Sequence, residues 1–323
     1  MIMAMAVLTS GGDSPGMNAC LRSIVRKALH DDYEIYGIYE GFYGLYQNNI
    51  KKLSRKNVAE IINRGGTFLK SARFPEFSEK EYVEIAANNL KSLGIDIIFV
   101  IGGNGSYKGG MLLSNYGIKV INIPGTIDND ILGTEYTIGY DTAINTAVEA
   151  IDKIRDTSTS HRRASVIEVM GRHNGDIALS SGLACGAEVV ITCETGFDKK
   201  KFIQRLTSTE NKRKSHSIVI LSENFMDINE LGEIISENTN MKVNKVTLGH
   251  IQRGGTPSAY DRRIATMMGH YAVELYQNGY YNTCVSIICG RVGRIDFDEY
   301  QKLNGEEDLK RKIHVNKIID DVR

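Results

Sequence analysis

The stretch Ile95-Asp-Ile-Ile-Phe-Val-Ile-Gly-Gly-Asn-Gly-Ser106 combines a nearly continuous apolar run with a loop rich in glycine. Such a run is typical of a parallel strand that is buried on both faces. The glycines allow the backbone to approach a phosphate closely, and Ser106 is placed either to cap the following helix or to contact that phosphate. The stretch therefore predicts a strand, a ligand-binding loop and a helix in an α/β fold.

The alternation of strand and helix patterns continues through all 323 residues. The predicted strands are 3–9, 34–39, 95–101, 119–123, 164–170, 188–193, 217–222, 244–251 and 284–289. The predicted helices are 17–30, 79–92, 106–116, 142–159, 174–184, 199–212, 229–238, 258–278 and 306–320. These repeated βα units favour mainly parallel sheets with right-handed crossovers. Because no linker separates two halves, a two-domain chain would cross between its domains more than once, and one large domain is the alternative.

Composition narrows the class of protein. The 39 basic and 39 acidic residues balance, which argues against a dominant role in binding nucleic acid or an anionic membrane surface. Five cysteines without a C-x-x-C pair indicate reduced thiols in a cytoplasmic protein. No apolar run approaches the roughly 20 residues that a membrane helix needs.

A pair of carboxylates follows the predicted strand 119–123. Asp128 and Asp130 come after Pro124-Gly125, at the end of the strand where open α/β sheets bind ligands. A buried carboxylate next to another one requires a metal, hydrogen-bond donors or a proton. The pattern suits one carboxylate accepting a proton while the other holds a metal, and it does not assign the two roles.

Two further loops are candidates for anion binding. The loop 10–16 has the glycine spacing of a P-loop, but Met17-Asn18 replaces its Lys-Ser/Thr pair, so a true P-loop is excluded. A tight structural turn is the alternative there. Arg73 follows a third glycine loop, 63–67, and is either a phosphate clamp or a solvated arginine.

Eight segments together resemble the phosphofructokinase family, in its ATP-dependent bacterial branch. They are LTSGGDSPGMN (8–18), NRGGT (63–67), SARFPEF (71–77), IGGNGS (101–106), PGTIDND (124–130), RDTSTSHRR (155–163), EVMGR (168–172) and LGHIQRGG (248–255). The resemblance implies two three-layer α/β domains with mainly parallel sheets, facing each other across a cleft, in a homotetramer. The larger domain, 1–139 with 251–301, would bind ATP, and the smaller one, 140–250 with 302–323, the sugar phosphate.

The resemblance also implies the reaction, transfer of the ATP γ-phosphoryl group to the 1-hydroxyl of fructose 6-phosphate. Asp128 would be the base, Thr126 would orient the phosphoryl group and Arg172 would stabilise its charge. ATP would contact Gly12, Arg73, Phe74, Gly103, Asn104, Gly105 and Ser106. The sugar phosphate would contact Thr126, Asp128, Met170, Gly171, Arg172, Glu223, Asn244, His250 and Arg253, together with Arg163 of a neighbouring subunit. Mg²⁺ would associate with Asp130 and, less securely, with Asn104.

An effector site is implied as well, activated by ADP and inhibited by phosphoenolpyruvate. It would comprise Arg22, Arg26, Arg55, Arg155, Gly186, Glu188, Lys212, Lys214 and His216. Arg22 and Arg26 are four residues apart and would share one helix face. The simpler interpretation is that this face is a solvated surface.

Several departures and alternatives bear on function. Gly105 and Gly125 stand where a pyrophosphate-dependent branch carries Asp and Lys, which favours ATP as donor. Asn104 replaces an expected Asp, and Asn244 replaces an expected Arg. These two changes keep open a weakened paralogue that serves as a regulatory or binding subunit. An NAD or lipid kinase is a further alternative, against which the segments PGTIDND and GHIQRGG argue.

Overall fold

The computed structural model describes residues 4–161, 163–211 and 216–322. Within these ranges the chain forms two compact units. The first unit comprises the described residues up to Ile127, Ile131–Thr142 and Arg253–Leu303, and the second comprises Asp128–Asp130, Ala143–Gln252 and the described residues from Asn304 onward. The chain thus passes between the units several times, without a linker.

The first unit is built on one mixed sheet. Its strands are β1 (Ala4–Ser10), β2 (Glu34–Ile38), β3 (Ile50–Lys52), β4 (Ile95–Gly102), β5 (Lys119–Thr126), β6 (Ile138–Gly139), β11 (Thr283–Ile288) and β12 (Arg291–Asp296). They lie in the order β12-β11-β5-β4-β1-β2-β3, with β6 paired to β5. Only the edge strands β3 and β12 pair antiparallel among the described pairs of this sheet.

Helices cover both faces of this sheet. They are α1 (Met17–His30), α2 (Gly41–Tyr46), α3 (Lys80–Ser92), α4 (Asn104–Ser114), α9 (Ala259–Gln277) and the short α10 (Phe297–Tyr300), with a 3-10 turn at Pro75–Ser78. Alternate residues of β4 enter different cores, since Phe99 packs with α1 and α9 while Val100 packs with α3 and α4. This explains why the strand is apolar at nearly every position.

The second unit has a four-stranded parallel sheet in the order β10-β7-β9-β8. The strands are β7 (Arg163–Val169), β8 (Val189–Ile191), β9 (Ser217–Ser222) and β10 (Lys242–Thr247). Its helices are α6 (Asp176–Cys185), α7 (Lys199–Asn211), α8 (Ile228–Asn238) and α11 (Glu306–Val322), and the long α5 (Tyr140–His161) begins in the first unit. α7 and α8 pack on one face, through Phe202, Leu206 and Leu231. α6 packs on the other face, where a Cβ on Gly182 would lie 2.3 Å from Val190.

The predicted α/β class with mainly parallel sheets is confirmed, and most predicted elements are present. The predicted strand 244–251 was wrong at its carboxyl end, since the strand ends at Thr247 and a 3-10 turn follows at Gly249–Gln252. Gly249 has φ +56°, which ends the extended chain. Helix α4 begins at Asn104, with Gly103 rather than Ser106 at its N-cap. No helix among the described residues is both long enough and apolar enough to cross a membrane.

Candidate functional site

Three strand ends of the first unit converge at one sheet edge. The register aligns Ser10 with Gly102 and Gly102 with Pro124, so β1, β4 and β5 end side by side. A Cβ on Gly11 would lie 3.4 Å from Ser106 Oγ, and one on Gly103 would lie 3.7 Å from Thr126 Cβ. Two glycine loops and Thr126 therefore form one cluster, as expected for a phosphate site at the carboxyl edge of a parallel sheet.

Arg253 joins this cluster from the start of the segment that leads to α9. A Cβ on Gly12 would lie 3.1 Å from Arg253 Nη1, so the guanidinium lies against the exposed backbone of the first loop. Gly11, beside it, has φ +83°, a left-handed conformation that favours glycine. The cluster thus combines unobstructed backbone with a forked cation, a combination suited to phosphate oxygens.

The loop 63–67 is fixed to the first helix by Asn18, whose importance the sequence did not reveal. The Asn18 amide donates to the carbonyls of Arg64 and Gly65 at 3.1 and 3.3 Å, and it accepts from Phe68 N at 2.7 Å. This side chain is buried at the position where a P-loop has Ser or Thr. A buried polar residue in the first turn of a helix was the available signal, because such groups are almost always hydrogen-bonded.

The predicted ATP residues Arg73 and Phe74 follow this loop. Ser71 anchors the segment, since its hydroxyl donates to Gly11 O at 2.9 Å. Arg73 is exposed. Phe74 lies in an aromatic cluster with Tyr43, Tyr46, Phe77 and Tyr82.

Asn104 is the first residue of α4, and its amide faces a tyrosine. Tyr300 Oη donates to Asn104 Oδ1 at 3.3 Å. No group of three His, Cys, Asp or Glu side chains among the described residues could hold a metal ion. Magnesium in kinases, however, is usually held by one or two carboxylates with water and substrate phosphates. The half-buried carboxylate of Asp130 fits that mode, and Asn104 offers only a neutral oxygen.

Asp128, Asn129 and Asp130 belong to the second unit. Asp128 is 9% exposed, so the candidate base lies in a largely desolvated position. Asn129 has φ +50°, a left-handed conformation that asparagine tolerates better than most residues. Its amide donates to Asp176 Oδ2 at 2.9 Å. The two acidic residues therefore flank a residue whose side chain is fixed to helix α6.

The Gly171–Arg172 turn is held by Glu223. Glu223 Oε1 accepts from Gly171 N at 3.1 Å and from Arg172 N at 2.7 Å. Both turn residues have positive φ, +145° for Gly171 and +62° for Arg172. A left-handed arginine is uncommon, and the paired hydrogen bonds offset its cost. The turn leaves the Arg172 side chain exposed and follows the buried Met170.

The departure at Asn244 has a local partner. Arg163 Nη1 donates to Asn244 Oδ1 at 2.9 Å, between the adjacent strands β7 and β10. Lys245 points to the opposite face, where its ammonium donates to Asn229 Oδ1 at 2.8 Å. Strand β10 begins at Lys242, so Lys242 lies on the same face of the strand as Asn244. The Lys242 side chain is exposed. His250 is exposed in the 3-10 turn that follows this strand.

The predicted effector residues divide between the units. In the first unit, burial and the neighbouring charge of Arg26 lower the pKa of Arg22, and Arg55 is exposed. In the second, Arg155 donates to Cys185 O next to Gly186, and buried Glu188 accepts from Ile218 N at 2.6 Å. His216 Nδ1 lies 3.1 Å from Thr159 Oγ1. Lys212 and Lys214 lie outside the described residues.

A sequence model of the family named Phosphofructokinase matches residues 4–276. The chain belongs to the phosphofructokinase family. The ATP-dependent 6-phosphofructokinase of Vibrio vulnificus is 51% identical over 313 residues, which cover 97% of this chain and 96% of that protein. The enzyme of the same name from Photobacterium profundum is 54% identical over 287 residues, or 89% of this chain and 90% of that one.

Solved structures of the family share the fold. Phosphofructokinase from Saccharomyces cerevisiae superposes with a TM-score of 0.89 at 30% identity. The superposition covers 98% of this chain and 48% of the yeast chain, so this chain spans about half the length of that relative. A pyrophosphate-dependent phosphofructokinase from Marinobacter aquaeolei gives a TM-score of 0.83 at 22% identity over 94% of this chain and 86% of that one, which supports the fold alone.

Proposed function

We propose that this chain is an ATP-dependent 6-phosphofructokinase that forms fructose 1,6-bisphosphate and ADP. The observation that carries the proposal is the cluster in the first unit, where two glycine loops, Thr126 and Arg253 meet at the ends of β1, β4 and β5. The chain is 51% and 54% identical over the aligned residues to the ATP-dependent 6-phosphofructokinases of Vibrio vulnificus and Photobacterium profundum, and this similarity supports the same activity.

In the proposed mechanism, Asp128 accepts the proton of the sugar 1-hydroxyl. Its carboxylate is 9% exposed, and the neighbouring Asn129, which is bonded to Asp176, limits its movement. Thr126 orients the transferred group, and Arg172 stabilises the charge that develops on it. Mg²⁺, when bound, would neutralise charge on the phosphate oxygens, with Asp130 as the carboxylate that associates with it.

The remaining residues would bind substrates without taking part in proton transfer. Gly12, the loop 103–106, Arg73 and Phe74 would contact ATP. Met170, Gly171, Glu223, Asn244, His250 and Arg253 would contact fructose 6-phosphate, with Arg163 supplied by a neighbouring subunit. Such positioning accounts for most of the catalysis in phosphoryl transfer.

The choice of ATP over pyrophosphate rests on two glycines. A Cβ on Gly105 would meet no atom within 4 Å, so this side of the loop stays open for a nucleotide. A Cβ on Gly125 would lie 3.0 Å from Ile101 and from Met17, so a larger residue there would have to displace its neighbours. A side chain at position 105 would extend into the open space that we assign to the α-phosphate, whereas one at position 125 would disturb the packing beneath the loop.

The proposal extends to assembly and control. A homotetramer in the cytoplasm would respond to ADP and phosphoenolpyruvate through residues that include Arg22, Arg26 and Arg155. Burial beside a second guanidinium is unfavourable for Arg22, as its lowered pKa reflects. A bound phosphate or carboxylate would relieve that repulsion, which supports an anionic effector.

A coupled assay of fructose 1,6-bisphosphate formation tests the activity. It compares ATP with pyrophosphate across a magnesium titration, for the wild type, Asp128→Asn and the control Asp152→Asn, an exposed carboxylate of α5. We expect turnover with ATP, its near loss in Asp128→Asn and no change in the control. Absence of turnover with both donors would instead favour the binding-subunit alternative, for which Asn104 and Asn244 are the grounds.

A further inference from the structure

The C-terminal helix α11 carries a cation that reaches a fully buried carboxylate. Arg311 Nη2 donates to Asp176 Oδ1 at 2.7 Å and to Asp176 Oδ2 at 2.8 Å. The Asp176 side chain is 1% exposed, whereas that of Arg311 is 47% exposed. An ionised carboxylate at such depth is costly without a partner, so Arg311 supplies the charge that keeps Asp176 in place.

Asp176 in turn fixes the segment that contains Asp128 and Asp130. Its Oδ2 accepts from Asn129 Nδ2 at 2.9 Å. Asn174 completes a ring, because its amide donates to Asn129 O at 2.9 Å and its Oδ1 accepts from Asp176 N at 3.0 Å. Both the side chain and the backbone carbonyl of Asn129 are thereby fixed, at a residue whose φ of +50° needs such support.

A second ion pair from α11 supports the residues at the start of α6. Lys312 Nζ lies 3.1 Å from Glu194 Oε1, and that carboxylate accepts from Gly175 N at 2.9 Å. Asp308, one turn earlier on α11, pairs with both cations at 2.7 Å. Two adjacent cations of the helix thus hold the two carboxylates that anchor the start of α6.

We propose that Arg311 is a positioning residue for the candidate catalytic segment, acting through Asp176 on Asn129 and so on the flanking Asp128 and Asp130. The inference rests on the proposed function, because the proposed function assigns Asp128 the role of base. It gives the C-terminal helix a part in the reaction, although none of its residues lies in a motif that the sequence singled out.

The test measures kcat and both KM values of the full-length Arg311→Met variant, with Lys310→Met as the matched control. Lys310 precedes Arg311 on the same helix and is exposed. Methionine keeps the length of the side chain and removes its charge. We expect kcat to fall about 10- to 100-fold, as for other outer-shell positioning residues, with both KM values nearly unchanged. Arg311→Lys should recover part of kcat, and Lys310→Met should behave as wild type.

Asn129→Ala provides a second variant that leaves the ion pair intact, in case Arg311→Met does not fold. We expect it to lower kcat by a similar factor and the double variant to be little worse than either single one, because both act through one contact chain. Wild-type kcat in folded Arg311→Met, or multiplied losses in the double variant, would overturn the proposal.

Hydrogen exchange separates this inference from the proposed function. If wild type shows no turnover, the proposed function fails, yet Arg311→Met should still lose protection at the amides of residues 128–130. Unchanged protection there would refute the positioning role, whatever the activity of the wild type.

Discussion

Replacement of Glu223 by alanine should weaken catalysis through the Gly171–Arg172 turn. Its Oε1 accepts two backbone hydrogen bonds, at 3.1 and 2.7 Å. Hydrogen bonds to a charged group contribute about 1.5–3 kcal/mol each. The lower end of this range gives about 3 kcal/mol for the two bonds, and because Glu223 is only half-buried, water replaces part of this and leaves about 2–3 kcal/mol.

That loss exceeds the cost of the turn's own conformation. A non-glycine residue in the left-handed region costs about 1–2 kcal/mol, and Arg172 has φ +62°. Without Glu223 the turn should relax, and Arg172 should lose its orientation for most of the time. Since about 1.4 kcal/mol corresponds to a tenfold change, we expect kcat/KM to fall about 100-fold in Glu223→Ala. Glu223→Gln keeps an oxygen acceptor without charge, and it should lose about tenfold.

The assay is the coupled measurement of fructose 1,6-bisphosphate formation, with Glu233→Ala as control. Glu233 is an exposed carboxylate on the nearby helix α8. The decisive comparison repeats Glu223→Ala in an Arg172→Ala background, where the turn no longer presents a guanidinium. There the substitution should cost much less, because only the proposed contact of Glu223 with fructose 6-phosphate is left to lose. If it costs the same as in the wild type, the whole effect of Glu223 comes from that substrate contact and the reasoning from the turn is wrong.

Three further predictions concern single positions. Asn104→Asp should raise magnesium affinity or turnover, as measured by a magnesium titration of the reaction rate. No gain in either quantity would contradict the assignment of position 104 to magnesium binding. Asn244→Arg should lower the KM for fructose 6-phosphate by adding a cation, although it breaks the bond from Arg163; an unchanged KM would count against this role. Burial raises the pKa of Asp261 to about 6, against hydrogen bonds from Thr142 and the Gly139 backbone. The folded state then binds this proton more tightly than the unfolded chain, so the contribution of Asp261 to the free energy of unfolding should decrease as pH rises from about 4 to 6. Urea unfolding across this range should show a more positive dependence of that free energy on pH in Asp261→Asn than in the wild type, and equal slopes would refute the shift.

Local patterns were enough to predict much of the fold. Helix α1 was predicted with its observed bounds because its apolar period and flanking glycine loop are both local. Strand β12 and helix α10 were not predicted, since β12 is a half-exposed edge strand and α10 is a single turn. Of the two roles predicted for Ser106, that of helix cap was wrong, because the extended residue Gly103 lets the helix begin two residues earlier than expected.

The candidate site could be predicted where it depends on motifs, and not where it depends on distant partners. The glycine loops and Thr126 can be recognised in the sequence, because close approach of the backbone to a phosphate requires small residues. The contact from Asp176 to Arg311 joins residues 135 positions apart in an unremarkable helix, and no spacing rule reveals it. The bond from Tyr300 to Asn104 spans 196 positions and is equally hidden.

The contacts of Asn104 and Asn244 indicate what kind of defect the replacement of the expected Asp and Arg would cause. Asn104 and Asn244 each accept a hydrogen bond within their own unit, from Tyr300 at 3.3 Å and from Arg163 at 2.9 Å. Both side chains are therefore held by a contact, and under the proposed function each would lack a formal charge that the expected Asp or Arg would direct at a ligand. Loss of charge weakens the binding of magnesium–ATP or of a sugar phosphate, whereas loss of order would misplace the reacting groups. Because the segment with Asp128 keeps its own supports, saturating magnesium and fructose 6-phosphate should restore kcat. The departures thus favour an enzyme with raised substrate requirements over a subunit that only binds.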